Sequence, residues 1–410
     1  MASRRTLLER IAGIAGAVGL AGCSQFLRPA RSETDLGLDP NPHADGLPNR
    51  QHAQSSFVRR DRHGNPLLPR HHRVLLLDLS ASPSKETGRT IERAMRTLEG
   101  AYEWGPDGLF HLLAWGPNYF ERVGALDATP VRRPEVLSRT DDPDLLDFDA
   151  ALALSSDVPS HLDAAENALF GPKDSLGDVS VDDRLGDVFS TSGRRTGFIG
   201  EGLPVEHTDA EGFPEDPPLS DSDRMFMGFR SGMRGTQASE DRVTIDSGSF
   251  EGGTTMHLSH LSQSLTRWFE GFDRNERVAR MFSPEFSDED VDEFTDTVPF
   301  SDAVSDHASE HDVVGHHEKV ARVREDGEPI VLRRDFNTVD GNRAGVHFLS
   351  FQASLDDFEK TRKAMNGWYV RDDSTKVRDR QNNGILEFIT VESRANFYVP
   401  TREYRALPMF

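Results

Sequence analysis

The chain has 410 residues, a formal net charge of −22 and one cysteine. Such an acidic excess repels polyanions and argues against a DNA or RNA partner. A lone cysteine excludes an intramolecular disulfide, so the fold has to hold by burial, and the length allows a large core or two domains.

Residues 1–23 read as an export signal. Arg4 and Arg5 stand together before an apolar stretch at residues 11–20, too short to span a bilayer comfortably and suited to a signal's hydrophobic region. It closes on Leu20-Ala21-Gly22-Cys23, small residues before a cysteine, as in a lipobox. The expectation is export by the twin-arginine route, already folded, and a membrane anchor through a lipid on Cys23 at the outer face of the cytoplasmic membrane. Residues 24–70, rich in Pro, Asn, His and Arg without an apolar period, are expected to be a flexible tether.

The first core strand is the apolar run at residues 74–79, of the kind buried on both faces. Ser84 stands where it caps a helix over about 84–103, with Ile91, Met95 and Leu98 on one face. Strands follow at residues 109–115 and 150–155, then a helix near 159–170; this β-α-β, β-α order is the ferredoxin-like plan. Residues 171–223, acidic and punctuated by Gly and Pro, read as a long loop or insertion with short strands. The second half repeats the plan. It has a strand at 254–260, a helix at 261–271, an acidic helical stretch near 286–296, a strand at 346–352 and a helix at 354–366. Two last strands follow at 385–389 and 396–399. The fold class is therefore α+β, with two ferredoxin-like domains of antiparallel sheet at 71–225 and 226–410. Aromatics such as Trp268, Phe269 and Phe410 are expected in the core.

Four segments carry the candidate chemistry: Gly228-Phe229-Arg230-Ser231-Gly232; Gly252-Gly253-Thr254-Thr255; His316-His317-Glu318-Lys319-Val320-Ala321, running on to Leu332-Arg333-Arg334-Asp335-Phe336; and Gly345-Val346-His347-Phe348-Leu349-Ser350-Phe351. In this order and spacing they resemble the dye-decolorising (DyP-type) haem peroxidases, as does the stretch from Leu109 through Trp115 to Arg122. The resemblance covers nearly everything after residue 71 and implies a fold of the dimeric α+β barrel type. Acidic charge spread along the chain also resembles proteins adapted to high salt, where screening removes much of the self-repulsion.

The resemblance implies haem b, held by His317 as axial ligand, or by its neighbour His316 if the register is shifted by one. A neutral imidazole leaves the sixth iron position open. Arg333 falls on the family's distal arginine, Gly228 and Gly232 frame the loop over the cofactor, and Phe351 is expected against it. Hydrogen peroxide and an organic electron donor are the implied substrates, and homo-oligomers the implied association. One departure stands out: Ser231 occupies the position of the family's distal aspartate. A serine donates a hydrogen bond but is no carboxylate base, and loss of a general base costs ~10²–10⁴ in rate. Glu240 or Asp241 are the candidate substitutes. Two alternatives stay open. One is a haem-binding or carrier lipoprotein without turnover. The other is a non-haem zinc or copper site built from His307, His311, His316 and His317 with Asp306, Glu310, Asp312 and Glu318.

Overall fold

The computed structural model describes residues 35–410 except residue 301, so the expected signal and Cys23 lie outside the described residues. In the first half, β1 (His71–Leu79), β2 (Phe110–Trp115), β3 (Ala150–Ser156) and β4 (Phe189–Phe198) form an antiparallel sheet in the order β4-β1-β3-β2. In the second half, β5 (Thr254–Gln263), β6 (Leu332–Arg333), β7 (Phe336–Thr338), β8 (Gly345–Gln352) and β9 (Ile389–Val399) repeat it. There the order is β7-β8-β5-β9, with β6 beside β8. With β6 and β7 counted as two pieces of one strand, both sheets run 4-1-3-2 when numbered within each half, the ferredoxin-like order. The halves join at both edges, Asn337 with Phe198 at one, and at the other Tyr398 with Trp115 and residues 144–145 beside Ser393 and Arg394, which closes the strands into one barrel.

Closure explains the apolar runs. Val74, Leu76, Leu112 and Ala114 meet Met256, Leu258, Leu349, Phe351, Phe397 and Val399 inside the barrel. The alternate residues Leu75, Leu77, Leu113 and Leu152 face outward, under α1 (Lys85–Ala101) and α2 (Pro159–Phe170), where Ile91, Met95, Leu98, Leu162 and Leu169 cover them. Both faces of β1, β2 and β3 are thus largely buried, so these strands show no polar alternation. Ser84 caps α1 as its position suggests, accepting from the Thr87 amide.

Several expectations are corrected. Residues 171–223 are not simply a loop, for they contain the ten-residue β4. Its sequence, from Phe189 through Ser, Thr, Gly and Arg to Phe198, has no apolar alternation because most of its side chains stay partly open to solvent. Residues 35–70, placed in the tether, are folded on the barrel. Gln51 is fully buried and its amide donates to the Leu113 and Pro400 carbonyls. The two last strands are one continuous β9, preceded by turns at 385–388. Phe410 is 42% exposed, whereas Trp268 and Phe269 are buried. Among the described residues no helix is long and apolar enough to cross a membrane.

A buried ion cluster ties α1 to the chain end: Glu99 accepts from both Arg402 and Arg405. Burial alone would raise the Glu99 carboxyl, but the Arg405 charge and hydrogen bonds from His111 and Arg405 hold it well below the usual carboxylate range. Glu99→Ala leaves buried Arg402 without a carboxylate, while Arg405 keeps Glu92, and should cost ~3–5 kcal/mol in urea unfolding at pH 7. A depressed carboxyl stabilises above its unfolded pKa of ~4.3 and loses that contribution as pH falls through the folded value. The difference between wild type and variant should therefore shrink below about pH 4.

Candidate functional site

The outer face of the second sheet is the floor of a cavity of about 250 Å³. Strand parity selects the floor. Ser259, Leu261 and Gln263 come from β5 and Val346 and Phe348 from β8, each two residues apart, while their neighbours point into the barrel. β9 supplies Ile389, Val391 and Arg394. That spacing breaks parity because of a bulge: His260 pairs with Ser393 and Leu261 with Val391, leaving Glu392 as an extra residue. The bulge brings Arg394 to the same face as Ile389 and Val391. Phe358, Thr361, Arg362 and Met365 close one side as a stripe on α3 (Leu355–Met365), an i, i+3, i+4, i+7 pattern. The loop at 225–236 contributes Met225, Met227, Phe229, Ser231, Gly232 and Met233.

His316 and His317 enter from a one-and-a-half-turn helix, His316–Ala321. Burial, helped by the charge of Arg333, pushes the His317 ring down to about 4. Burial, with Lys319 and Arg333 nearby, pushes His316 well below its ordinary value. Both rings are neutral at pH 7, so each keeps a nitrogen lone pair. His317 Nε2 lies 3.3 Å from the Val298 carbonyl oxygen; donating there, the ring carries its lone pair on Nδ1.

The helix is clamped on the side away from the cavity. Fully buried Glu318 accepts from the Gly315 amide at 2.6 Å and faces His307 Nδ1 at 2.6 Å. Lys319 donates from Nζ to the Met365 and Asn383 carbonyls at 2.9 and 3.0 Å, and burial pushes its ammonium down to about 7. Gly315 is required by space, since a Cβ there would sit 1.9 Å from the Phe282 carbonyl oxygen.

Arg333 also lines the cavity, and among the described residues no carboxylate pairs with its guanidinium. Parity again explains its placement. Leu332 and Phe336 enter the barrel core, Arg334 turns inward to Glu240 at 3.5 Å, and Arg333 and Asp335 face the cavity. Ser231 sits there too, its Oγ donating to Asp335 Oδ2 at 3.3 Å. At another point of the wall Arg362 and Arg394 share one buried carboxylate, Asp141, at 2.6 and 3.0 Å. Among the described residues, Nε and Nη1 of Arg394 have no hydrogen-bond partner.

Of the expected site residues, His317, His316, Arg333, Ser231 and Gly232 are brought together around the cavity. Two are not. Phe351 lies on the odd face of β8, inside the barrel, and Phe348 takes the cavity position. Gly228 is a turn residue with φ +74° whose carbonyl accepts from Arg274, outside the lining. Glu240 and Asp241 cannot replace the acid at Ser231. Glu240 accepts from the Gln54 and Ser55 amides, and Asp241 pairs with Arg50 at 2.6 Å. The non-haem metal cluster is also not formed, for no group of three or more His, Cys, Asp or Glu among the described residues is arranged to hold a metal. His307 is engaged instead with Glu318 and Glu285. Asp335, Arg362 and Arg394 were missed. The alternation from Leu332 to Phe336 is a signal that identifies Asp335.

Residues 69–401 match the model of DUF7405, a family of unknown function, and the chain belongs to that family. No curated protein matches it. Solved structures share the fold. A DypB variant from Rhodococcus jostii in complex with heme has a TM-score of 0.55 and 14% identity, covering 87% of this chain and 97% of that one. A DyP-type peroxidase from Cellulomonas bogoriensis has a TM-score of 0.54 and 16% identity, with 87% and 99% covered. A dye-decolorizing protein from V. cholerae has a TM-score of 0.52 and 14% identity, with 86% and 99% covered. These likenesses establish the α+β barrel with its paired ferredoxin-like halves.

Glu318→Ala should leave the Gly315 amide unpaired in the interior and His307 Nδ1 with only Ser283 Oγ at 3.4 Å. A buried partner removed in this way costs ~3–5 kcal/mol, read as a lower midpoint in urea.

Proposed function

We propose that the cavity binds haem and that the protein is a peroxidase-like haem protein, acting on hydrogen peroxide with an organic donor. The observation that carries this is the pair of neutral imidazoles, His316 and His317, at the wall of a mostly apolar cavity. The rest of the donor set fits as well. Apolar walls of Met, Phe, Val and Ile suit a macrocycle. The Arg362–Arg394 pair, short of one negative charge and with free N–H groups, suits its carboxylates. A fold relative that carries heme in its structure supports the same reading.

In this reading His317 would hold the iron, its ring positioned by the Val298 carbonyl and its helix by Glu318 and Lys319. Bound haem would supply the redox-active iron that reduces peroxide. Arg333, a permanent cation without a carboxylate partner, stabilises negative charge on an oxygen entering the cavity. The apolar walls exclude water and strengthen that interaction.

Full-length protein produced with haem available should show a Soret band. His317→Ala should abolish it and His316→Ala should leave it. A colourless protein, or a band indifferent to both substitutions, overturns the reading. We also propose that the protein is exported by the twin-arginine route and held at the outer membrane face by a lipid on Cys23. Cys23→Ser should then move it from the membrane fraction to the soluble one.

A further inference from the structure

We infer that Asp335 is the proton acceptor of this cavity, in the role that Ser231 cannot fill. The inference rests on the haem reading above and adds to it a residue and a step.

Asp335 is the one carboxylate among the described residues lining the cavity, where the other charged side chains are all arginines. It is 7% exposed, and no guanidinium or ammonium among the described residues comes within ion-pair distance of it. Its side chain accepts one hydrogen bond, from Ser231 Oγ at 3.3 Å. An ionised carboxylate offers about four lone-pair sites, and the described side chains occupy one of them. The groups that usually quench a buried carboxylate are elsewhere: Arg334 turns to Glu240, and Arg362 and Arg394 are committed to Asp141. Asp335 and Arg333 are two residues apart between Leu332 and Phe336, which enter the core, and both line the cavity, so a base and a cation are presented side by side.

The step is a proton transfer. When hydrogen peroxide enters, one O–H bond breaks, its electron pair stays on oxygen, and the proton passes to an Asp335 carboxylate oxygen. No electron changes hands in this step. The Arg333 guanidinium faces the anion formed. Ser231 is a positioning residue, its hydroxyl fixing one carboxylate oxygen so that the other is free to accept.

Hydrogen cyanide tests this without turnover, because it also has to lose a proton to bind iron as cyanide. In full-length, haem-loaded protein, Asp335→Asn should keep the wild-type Soret band and slow cyanide association by ~10²–10⁴-fold. Carbon monoxide, which carries no proton, should bind the reduced variant at the wild-type rate. Asp335→Glu should recover most of the cyanide rate, and Ser231→Ala should lose much less than Asp335→Asn. If Asp335→Asn does not accumulate, Asp335→Ser removes the acid without added bulk and serves in its place. A normal Soret band with an unchanged cyanide rate overturns the assignment of Asp335 alone, leaving haem binding intact and favouring a carrier. Equal slowing of cyanide and carbon monoxide overturns it in favour of a structural role. Absence of a Soret band from the wild type removes the haem reading, and this assignment with it.

Discussion

Everything in this structure depends on the closure of two four-stranded sheets into one barrel. Closure is carried by few pairings, one at the first seam and three at the second, yet it fixes which face of every strand is interior. The interior needs large apolar residues from both halves, and Phe336, Phe351 and Phe397 supply much of it from the second. The outer faces are then free to differ. In the first half two helices cover the outer face with Ile, Leu and Met. In the second half the outer face is left partly uncovered, and the space between sheet, helix and loop becomes the cavity. Two halves of one topology thus divide the work, one side packed solid and the other hollow.

The cavity is apolar with a few charges held in place from behind. Its two histidines ride on a short helix whose own hydrogen bonds would not hold it in solution. Tertiary partners do so instead, with Glu318 on the amide of Gly315 and Lys319 on the carbonyls of Met365 and Asn383. The same logic holds for the arginines. Arg362 and Arg394 are anchored through Asp141, which neutralises one of two charges and leaves the other to the cavity. An electropositive, water-poor pocket of this kind favours anionic groups more strongly than any of its residues would at the surface.

Much of the barrel was legible in the amino-acid sequence because both-face burial writes itself as apolar runs. Residues 74–79, the Ser84 cap and the helix after it were readable for that reason. β4 was not, since a strand of Ser, Thr, Gly and Arg that stays partly open to solvent carries no apolar pattern. β9 was split in two because polar Glu392, Ser393 and Arg394 interrupt it at the bulge. Of the site, the histidines and Arg333 were found through local motif. Phe351 was misplaced and Phe348 overlooked because sequence shows that a strand alternates, not which parity faces the barrel. Asp335 was within reach, since Leu332 and Phe336 as core residues put positions 333 and 335 on the opposite face. Asp141 and Arg394 meet across 253 residues, and no local pattern records that.

The bulge at Glu392 also shapes how such a pocket can change over time. Substitutions at lining positions alter its walls one side chain at a time. Deletion of the single bulge residue would instead put the two ends of β9 out of phase with each other. Either Arg394 would turn inward among Phe397 and Val399, or Ile389 and Val391 would leave the floor. The pocket's identity is thus guarded by chain length at one position as much as by residue type, and an insertion or deletion there is the one small change that exchanges inside for outside.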